Sequence, residues 1–456
     1  MSSIMSNREI ALEKAVEIPP TKERHAIWRV LRLRDFRLFW IGEAVSTLGD
    51  QFYLIALPWL VLQLTGKPIA VGAVLAVAGI PRALFMLLGG AITDRFYPRK
   101  VMLSANIARM LIVGGMAALV FTGSIKVWML YLCALFFGLA DAFYYPAQPT
   151  IVPLLVDAED LPAGNAVIQG TTRLSVFAGP VMAGVLITLL NGGSINLLDT
   201  AGEPVPGLRG IGVALTVDAV TFLASVVSLG LMHTVKPHHS SAEKAGNSKR
   251  LLKAIGEILH HLWTDSKLRM MFLAALAINF LGFGPAIVGI PILADTRLAG
   301  SAAAYGIIIS AYGGGNLGGI VLAGLLPKLR RGQFGAVLLG VITAFALGMA
   351  SLAWLSSTWV IAAIIFVLGL GAGYIVIILL TWLQRKIPEE MMGRMMSLVM
   401  LSQVGLTPIS QAVSGVVLEI SLAALFVGTG VLLLGLVIWI AAQPEIWQMG
   451  LEESPN

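Results

Sequence analysis

Glu43, Ser46, Thr47 and Asp50 stand three, four and seven residues apart, so on a helix they share one face. Asp141, Tyr144, Tyr145 and Gln148 repeat that spacing, and Asn165, Gln169, Thr172 and Arg173 follow a similar one. Gln403, Thr407, Ser410, Gln411 and Ser414 form a fourth stripe, polar but uncharged. Carboxyl groups in such stripes can take up and release protons, and tyrosine, glutamine and hydroxyl groups can hold a solute by hydrogen bonds. All four stripes lie inside strongly apolar runs, where an ionisable side chain costs on the order of 2.5–3.5 kcal/mol and is a functional candidate by default. Arg82, Arg109 and Asp218 are placed likewise. Other chemistries lack their residues. The six histidines lie outside the apolar runs, the one cysteine, Cys133, allows neither an intrachain disulfide nor a cysteine metal cluster, and Gly66-Lys67 runs into Pro68 rather than completing a phosphate loop. No enzyme activity, metal or cofactor is expected.

The elements that position these stripes are membrane spans. Of 456 residues, 57% are hydrophobic and 12% charged, with mean hydropathy +0.85. That is half the roughly 25% charge of a soluble domain and excludes a soluble enzyme. The formal charge of +6 is dispersed between apolar runs, so nucleic acid is not an expected partner. Runs long enough to cross about 30 Å of hydrocarbon lie near 37–64, 69–92, 101–122, 127–147, 164–190, 210–232, 270–293, 302–326, 335–355, 358–381, 395–418 and 421–442, about twelve helices by the twenty-residue criterion. Lys and Arg gather before the first span and in alternate loops, which places both termini in the cytoplasm of a multi-pass protein of the plasma membrane. The organisation expected is a cytoplasmic N-terminal segment (1–36) with no removable signal peptide, a six-helix bundle (37–232), a cytoplasmic central loop with an amphipathic helix (233–269), a second six-helix bundle (270–443) and a cytoplasmic tail (444–456). Asp35-Phe36-Arg37-Leu38 and Asp265-Ser266-Lys267-Leu268 precede spans one and seven, one of three echoes that make the bundles a parallel repeat.

The segment Gly90-Ala91-Ile92-Thr93-Asp94-Arg95-Phe96-Tyr97-Pro98-Arg99-Lys100 resembles the loop signature Gly-x-x-x-Asp-Arg-x-Gly-Arg-Arg/Lys of the major facilitator superfamily, with one extra residue and without the inner glycine. Gly49-Asp50, the acidic stretch leading to Gly164-Asn165-Ala166, and Pro388-Glu389-Glu390 with Gly393-Arg394 are similar to its drug, macrolide and siderophore exporter branch. The resemblance implies an all-α fold of twelve membrane helices in two bundles related by pseudo-twofold symmetry. It also implies an inner-gate latch in which Gly90, Asp94, Arg95, Arg99 and Lys100 meet Asp141 and the helix start near Gly393. Gly179-Pro180-Val181-Met182-Ala183-Gly184 resembles the helix-packing motif of antiporters, Gly-x-x-x-Gly-Pro-x-x-Gly-Gly, with Ser175 and Ala183 at two of its glycine positions. The arginine that many proton antiporters carry in span four is replaced here by Phe136-Phe137-Gly138.

Asp50, Glu43 and Asp218 are the candidates for proton coupling. Each has a structural alternative: Asp50 in hydrogen bonds at the Gly49 bend, Glu43 paired with Arg173 or Arg82, and Asp218 as a tie between helices. Ser46, Thr47, Arg82, Arg109, Tyr144, Tyr145, Gln169, Arg173, Gln403, Thr407 and Gln411 are the cavity-lining candidates, with Arg109 also able to pair with Asp141. The expected function is export of a small amphipathic compound in exchange for protons, by a chain acting as a monomer. An uptake permease or lipid flippase of the same fold is the alternative.

Overall fold

Hydrocarbon offers the backbone no water, so a chain this apolar must satisfy its peptide groups within helices. The computed structural model describes residues 20–95, 97–191, 208–233, 263–298, 301–326, 333–386, 402 and 405–447. Its principal elements are α1 (Arg34–Thr65), α2 (Pro68–Arg95), α3 (Pro98–Phe121), α4 (Val127–Leu155), α5 (Leu161–Leu190), α6 (Leu208–Leu231), α7 (Ser266–Arg297), α8 (Ala302–Leu325), α9 (Gln333–Ser351), α10 (Thr358–Lys386), α11 (Thr407–Ile420) and α12 (Leu422–Ala441). Eleven of them are long and apolar enough to cross a membrane. The other, α11, has 14 described residues, and most of the chain just before it lies outside the described residues. Helix ends are set by local chemistry. Gly66 takes the left-handed conformation (φ 62°) that closes α1, its N–H on the Leu62 carbonyl at 2.8 Å. The Asp265 carboxylate accepts from Lys267 N and Leu268 N at the start of α7.

The packing repeats. In the first half α1 lies on α5 and α6, α2 on α4, and α3 on α4 and α6. Adding six to each number gives the packing of the second half: α7 on α11 and α12, α8 on α10, and α9 on α10 and α12. The two main contacts between halves, α2 with α11 and α5 with α8, exchange under the same operation. The α8–α10 seam is the tightest in kind. Gly315 and Gly319 face Gly369 and Gly373, and a Cβ on any of them would overlap a carbonyl of the opposite helix.

The apolar core divides unequally. At the end of the bundle away from the chain's N-terminus, one cluster joins both halves and includes Trp59, Leu60, Val71, Leu293, Tyr305 and Phe426. At the end that carries the N-terminus there are two clusters, one around Phe36, Met102 and Ile151 and one around Phe334, Trp382 and Leu433. Among the described residues one apolar cluster thus joins the halves at the distal end, while the two proximal clusters each belong to one half.

A helix at Pro20–Arg32 precedes α1, where sequence alone indicates only a polar segment. It is tied to the turn before α5 by Arg29, whose Nε donates to Asp160 at 2.7 Å. The first membrane helix starts at Arg34, three residues before the expected boundary. The amphipathic helix expected in the central loop falls on 249–263, nearly all of it outside the described residues.

Candidate functional site

Helix α1 is pressed against α6 at Gly49, where a Cβ would overlap the Thr221 hydroxyl and lie 2.8 Å from Asp218 Oδ1. Only glycine allows that approach, and the residue after it, Asp50, then faces a cavity of about 260 Å³ between the two halves. Asp50, Gln51 and Tyr53 of α1, Arg82 of α2, and Asp141 and Tyr145 of α4 line one side of the cavity. Phe283 and Ile287 of α7 with Thr407 and Gln411 of α11 line the other. Five buried polar atoms of this wall make no hydrogen bond: Asp50 Oδ1, Gln51 Oε1, Tyr53 Oη, Arg82 Nε and Gln411 Oε1. An unsatisfied buried polar atom costs about 1–3 kcal/mol, so five around one hollow describe a place that gains by holding water, ions or a polar solute.

Behind this wall lies a charged layer confined to the first half. Arg109 is 1% exposed. Its guanidinium donates to Asp141 and to Asn106 Oδ1 (3.4 Å), and lies 4.0 Å from the centroid of the Tyr144 ring. Asn106 in turn donates to Ser225 of α6 at 2.9 Å. Arg82 reaches the other oxygen of Asp141 at 3.4 Å. One layer nearer the proximal end, Glu43 accepts from the Tyr144 hydroxyl and from Gln148 Nε2, each at 2.5 Å. Asp218 is fully buried, with Thr221 3.5 Å from Oδ1 and no partner at Oδ2. Tyr53 stacks on Phe137 with centroids 4.1 Å apart. The Arg109 guanidinium of α3 sits 5.7 Å from the ring of Phe137, in the span-four stretch Phe136-Phe137-Gly138.

Of the residues expected to line a cavity, Arg82, Tyr145, Thr407 and Gln411 do so, together with Asp50 and Asp141. Arg109, Tyr144 and Ser46 are buried behind it. Thr47 is half-buried on α1, and Gln169 and Arg173 are exposed on α5, Arg173 donating to Asn316 of α8 at 3.4 Å. Several expectations are corrected. Glu43 is held by Tyr144 and Gln148, neither Arg173 nor Arg82 being its partner. Asp141, expected as the span-four carboxylate that the latch of Asp94 and its basic neighbours meets, is bound midway along α4 to Arg82 and to Arg109, the latter a pairing the sequence also allows. Arg99 donates to the carbonyls of Leu229 (2.7 Å) and Gly230 (2.9 Å), capping α6 of its own half, and Lys100 is exposed. Gly90, Asp94 and Arg95 lie in the last turns of α2, their side chains outside the described residues, as are Gly393 and Gln403. Gln51, Tyr53, Phe137 and Phe283 of the wall are not singled out from sequence; the position of Tyr53, three residues after Asp50, is the signal that could have found it.

The antiporter-like motif packs as a seam. Gly179 lets α5 approach Gln51, and Pro180 and Gly184 lie on Gly306 of α8, where a Cβ would overlap the Pro180 carbonyl. Beside Pro180, the Val181 N–H donates across the halves to Ser310 Oγ at 2.8 Å. Closer to the distal end the two halves cap each other's helices. The N–H of Ile69, second residue of α2, donates to Glu419 of α11 at 3.2 Å, and the N–H of Ala303, second residue of α8, donates to Thr188 of α5 at 2.8 Å. Gln63 of α1 donates to Asp295 of α7 at 3.1 Å. Arg173–Asn316 joins the halves nearer the proximal end.

A family model described as Major Facilitator Superfamily matches residues 39–410. The chain is 25% identical over 367 residues to the multidrug efflux pump Tap of Mycobacterium tuberculosis, covering 78% of this chain and 80% of that protein. It is 23% identical over 186 residues to macrolide efflux protein A of Streptococcus pyogenes, 41% of this chain and 45% of that protein; the match thus spans less than half of that relative. Among solved structures, the nucleoside transporter NupG (D323A mutant) superposes with a TM-score of 0.71 at 14% identity, covering 90% of this chain and 99% of that one. A bacterial homologue of the iron transporter ferroportin, in an inward-facing state, superposes with a TM-score of 0.63 at 16% identity, covering 90% and 100%. A twelve-helix architecture repeated six by six, a polar cavity between its halves and a family match over most of the sequence place this multi-pass membrane protein, a secondary transporter and not an enzyme, in the major facilitator superfamily.

Proposed function

We propose that the protein exports a small amphipathic organic compound, of a drug, macrolide or siderophore-like kind, across the plasma membrane in exchange for protons, working as a monomer with both termini in the cytoplasm. The observation that carries this reading is the central cavity, in which single carboxylate, guanidinium, amide and phenol atoms without a hydrogen bond stand among Tyr53, Phe137, Tyr145 and Phe283. Aromatic faces suit the apolar body of such a compound, and the five polar atoms suit its hydrogen-bonding groups. Four carboxyl groups (Glu43, Asp50, Asp141, Asp218) share the layer around the cavity with two guanidinium groups (Arg82, Arg109), so protons can enter and leave the surplus acids as the cavity changes sides. Asp50, which faces the cavity, is the first proton carrier, with Glu43 and Asp218 behind it. With the cytoplasm at the proximal end, the contacts that join the halves distally close the outer side. The latch of Asp94 and its basic neighbours with the start of α11 then forms in the outward-open state. The relatives named for macrolide and multidrug efflux support export.

The test is accumulation of a panel of macrolides, dyes and siderophores in cells with and without the gene, each with and without an uncoupler. Lower accumulation that the uncoupler abolishes supports proton-driven export. Raised accumulation of a panel compound makes the protein an uptake permease, and translocation of lysolipids with no effect on the panel makes it a flippase; either result overturns the proposal.

A further inference from the structure

The lipid-facing side of the first half carries a second hollow, larger than the central one and separate from it. It is a groove of about 790 Å³ between α3 and α4, floored by Ala105, Ala108 and Ala140 and walled by Leu111, Ile112 and Phe136. Lys100 stands at its proximal mouth, with Ser104 one turn further in. We propose that this groove holds one anionic phospholipid, its acyl chain between the two helices and its phosphate on Lys100.

Charge and length both favour that occupant. The groove is apolar throughout its depth and cationic only at its mouth. Arg99 beside it is used by the α6 carbonyls, whereas Lys100 is exposed, has no carboxylate partner among the described residues, and lies 5.7 Å from the ring of Tyr97, itself half exposed. A cation and a tyrosine at the end of an apolar channel reproduce the order of a lipid's own parts at a membrane interface. Lys100 and Ile112 are about 18 Å apart along α3 at 1.5 Å per residue, close to half of the roughly 30 Å hydrocarbon core and so to one leaflet. A helix from a second copy, about 10 Å across, does not enter a cleft between two helices already in contact, but a single acyl chain does. The groove also backs on to the charged layer. Ala105 and Ala108 alternate along α3 with Asn106 and Arg109, and Ala140 precedes Asp141, so an occupant wedges the seam that the Arg109–Asp141 pair holds from the other side.

The test is native mass spectrometry of the full-length transporter in detergent, titrated with phosphatidylglycerol, phosphatidylcholine or diacylglycerol. One phosphatidylglycerol should be retained in preference to the other two. Lys100→Gln should weaken that retention about fivefold, as expected for one cation worth about 1 kcal/mol near a lipid surface. Ala108→Leu, which fills the groove without altering charge, should abolish it, and Ser104→Phe, which blocks the mouth at an exposed position, should do the same if Ala108→Leu lowers the yield of folded protein. Equal retention of diacylglycerol, or unchanged phosphatidylglycerol retention in Lys100→Gln and in either groove variant, overturns the proposal.

Discussion

The distal seal includes, beside the shared apolar cluster and Gln63–Asp295, two mutual caps whose separate contributions can be calculated. The first N–H groups of any helix lack partners within it. In α2 and α8 the N–H of the second residue is satisfied by the opposite half, through Glu419 and Thr188. Moving the halves apart at this end uncaps both helices at once. An N-terminal cap contributes about 1 kcal/mol, so Glu419→Ala or Thr188→Val should raise the ratio of distally open to closed protein about fivefold, and the double variant about thirtyfold. The two sites lie on opposite inter-half seams and share no partner, which is the condition for additivity. Glu419→Gln keeps an acceptor and should shift the ratio less than Glu419→Ala. The assay is the distance between spin labels at Lys67→Cys and Ser357→Cys, exposed positions at the distal ends of the two halves, in a Cys133→Ala background and in lipid nanodiscs. The longer-distance population should grow in the order stated. A distribution unchanged in the double variant would refute the capping argument, and one that moved for only one of the two seams would refute its symmetry.

Asp50→Asn should leave binding of an exported compound in place but make its export by proteoliposomes independent of an imposed pH gradient; retained dependence would move the coupling role to Glu43 or Asp218. Asp141→Asn strands the buried guanidinium of Arg109 and should destabilise the folded transporter by about 3–5 kcal/mol, read as a lowered unfolding temperature in detergent. Adding Arg109→Met should recover most of that loss, since a buried pair removed together costs far less than one broken. Gly306→Val places two methyl groups against the Pro180 carbonyl; the protein should insert yet fail to transport, and its spin-label distances should remain at the distally open value. Asp94→Ala should abolish transport in inserted protein, and full activity would remove the latch.

What sequence makes legible here is whatever is local to one helix. Spans show because hydrocarbon demands long apolar runs: the stretch read at 37–64 is Arg34–Thr65, and that read at 421–442 is Leu422–Ala441. Polar stripes show because residues three, four and seven apart share a face. What such spacing leaves open is how far one helix is rotated toward each neighbour, and the misassigned residues fall there. Glu43 and Asp50 share a face of α1, yet Glu43 points to Tyr144 and Gln148 while Asp50 borders the cavity. The partners of Glu43 were already visible as a stripe on α4; only packing selects them over Arg82 or Arg173. The capping residues Glu419 and Thr188 are invisible for a related reason, since caps are sought just before the helix they serve and these come from another part of the chain.

The same distinction separates the architecture from the chemistry. Packing repeats from half to half, but the seams it repeats are filled differently. Between α8 and α10 the seam is four glycines meeting carbonyls, a contact with no charge to satisfy. Between α2 and α4, its counterpart, Gly138 meets the Ala78 carbonyl while Arg82 reaches Asp141 beside it. A glycine seam is stable whatever the water around it, whereas a seam held by an ion pair strengthens as water leaves and weakens as water enters. Alternation of access changes the hydration of the cavity, and Arg82 and Asp141 both line that cavity. On the proposed mechanism, the first half is therefore the half whose internal contacts are exposed to that change. The proton exchange proposed above is assigned to the first half because its α2–α4 seam carries this ion pair, whereas the matching α8–α10 seam is uncharged.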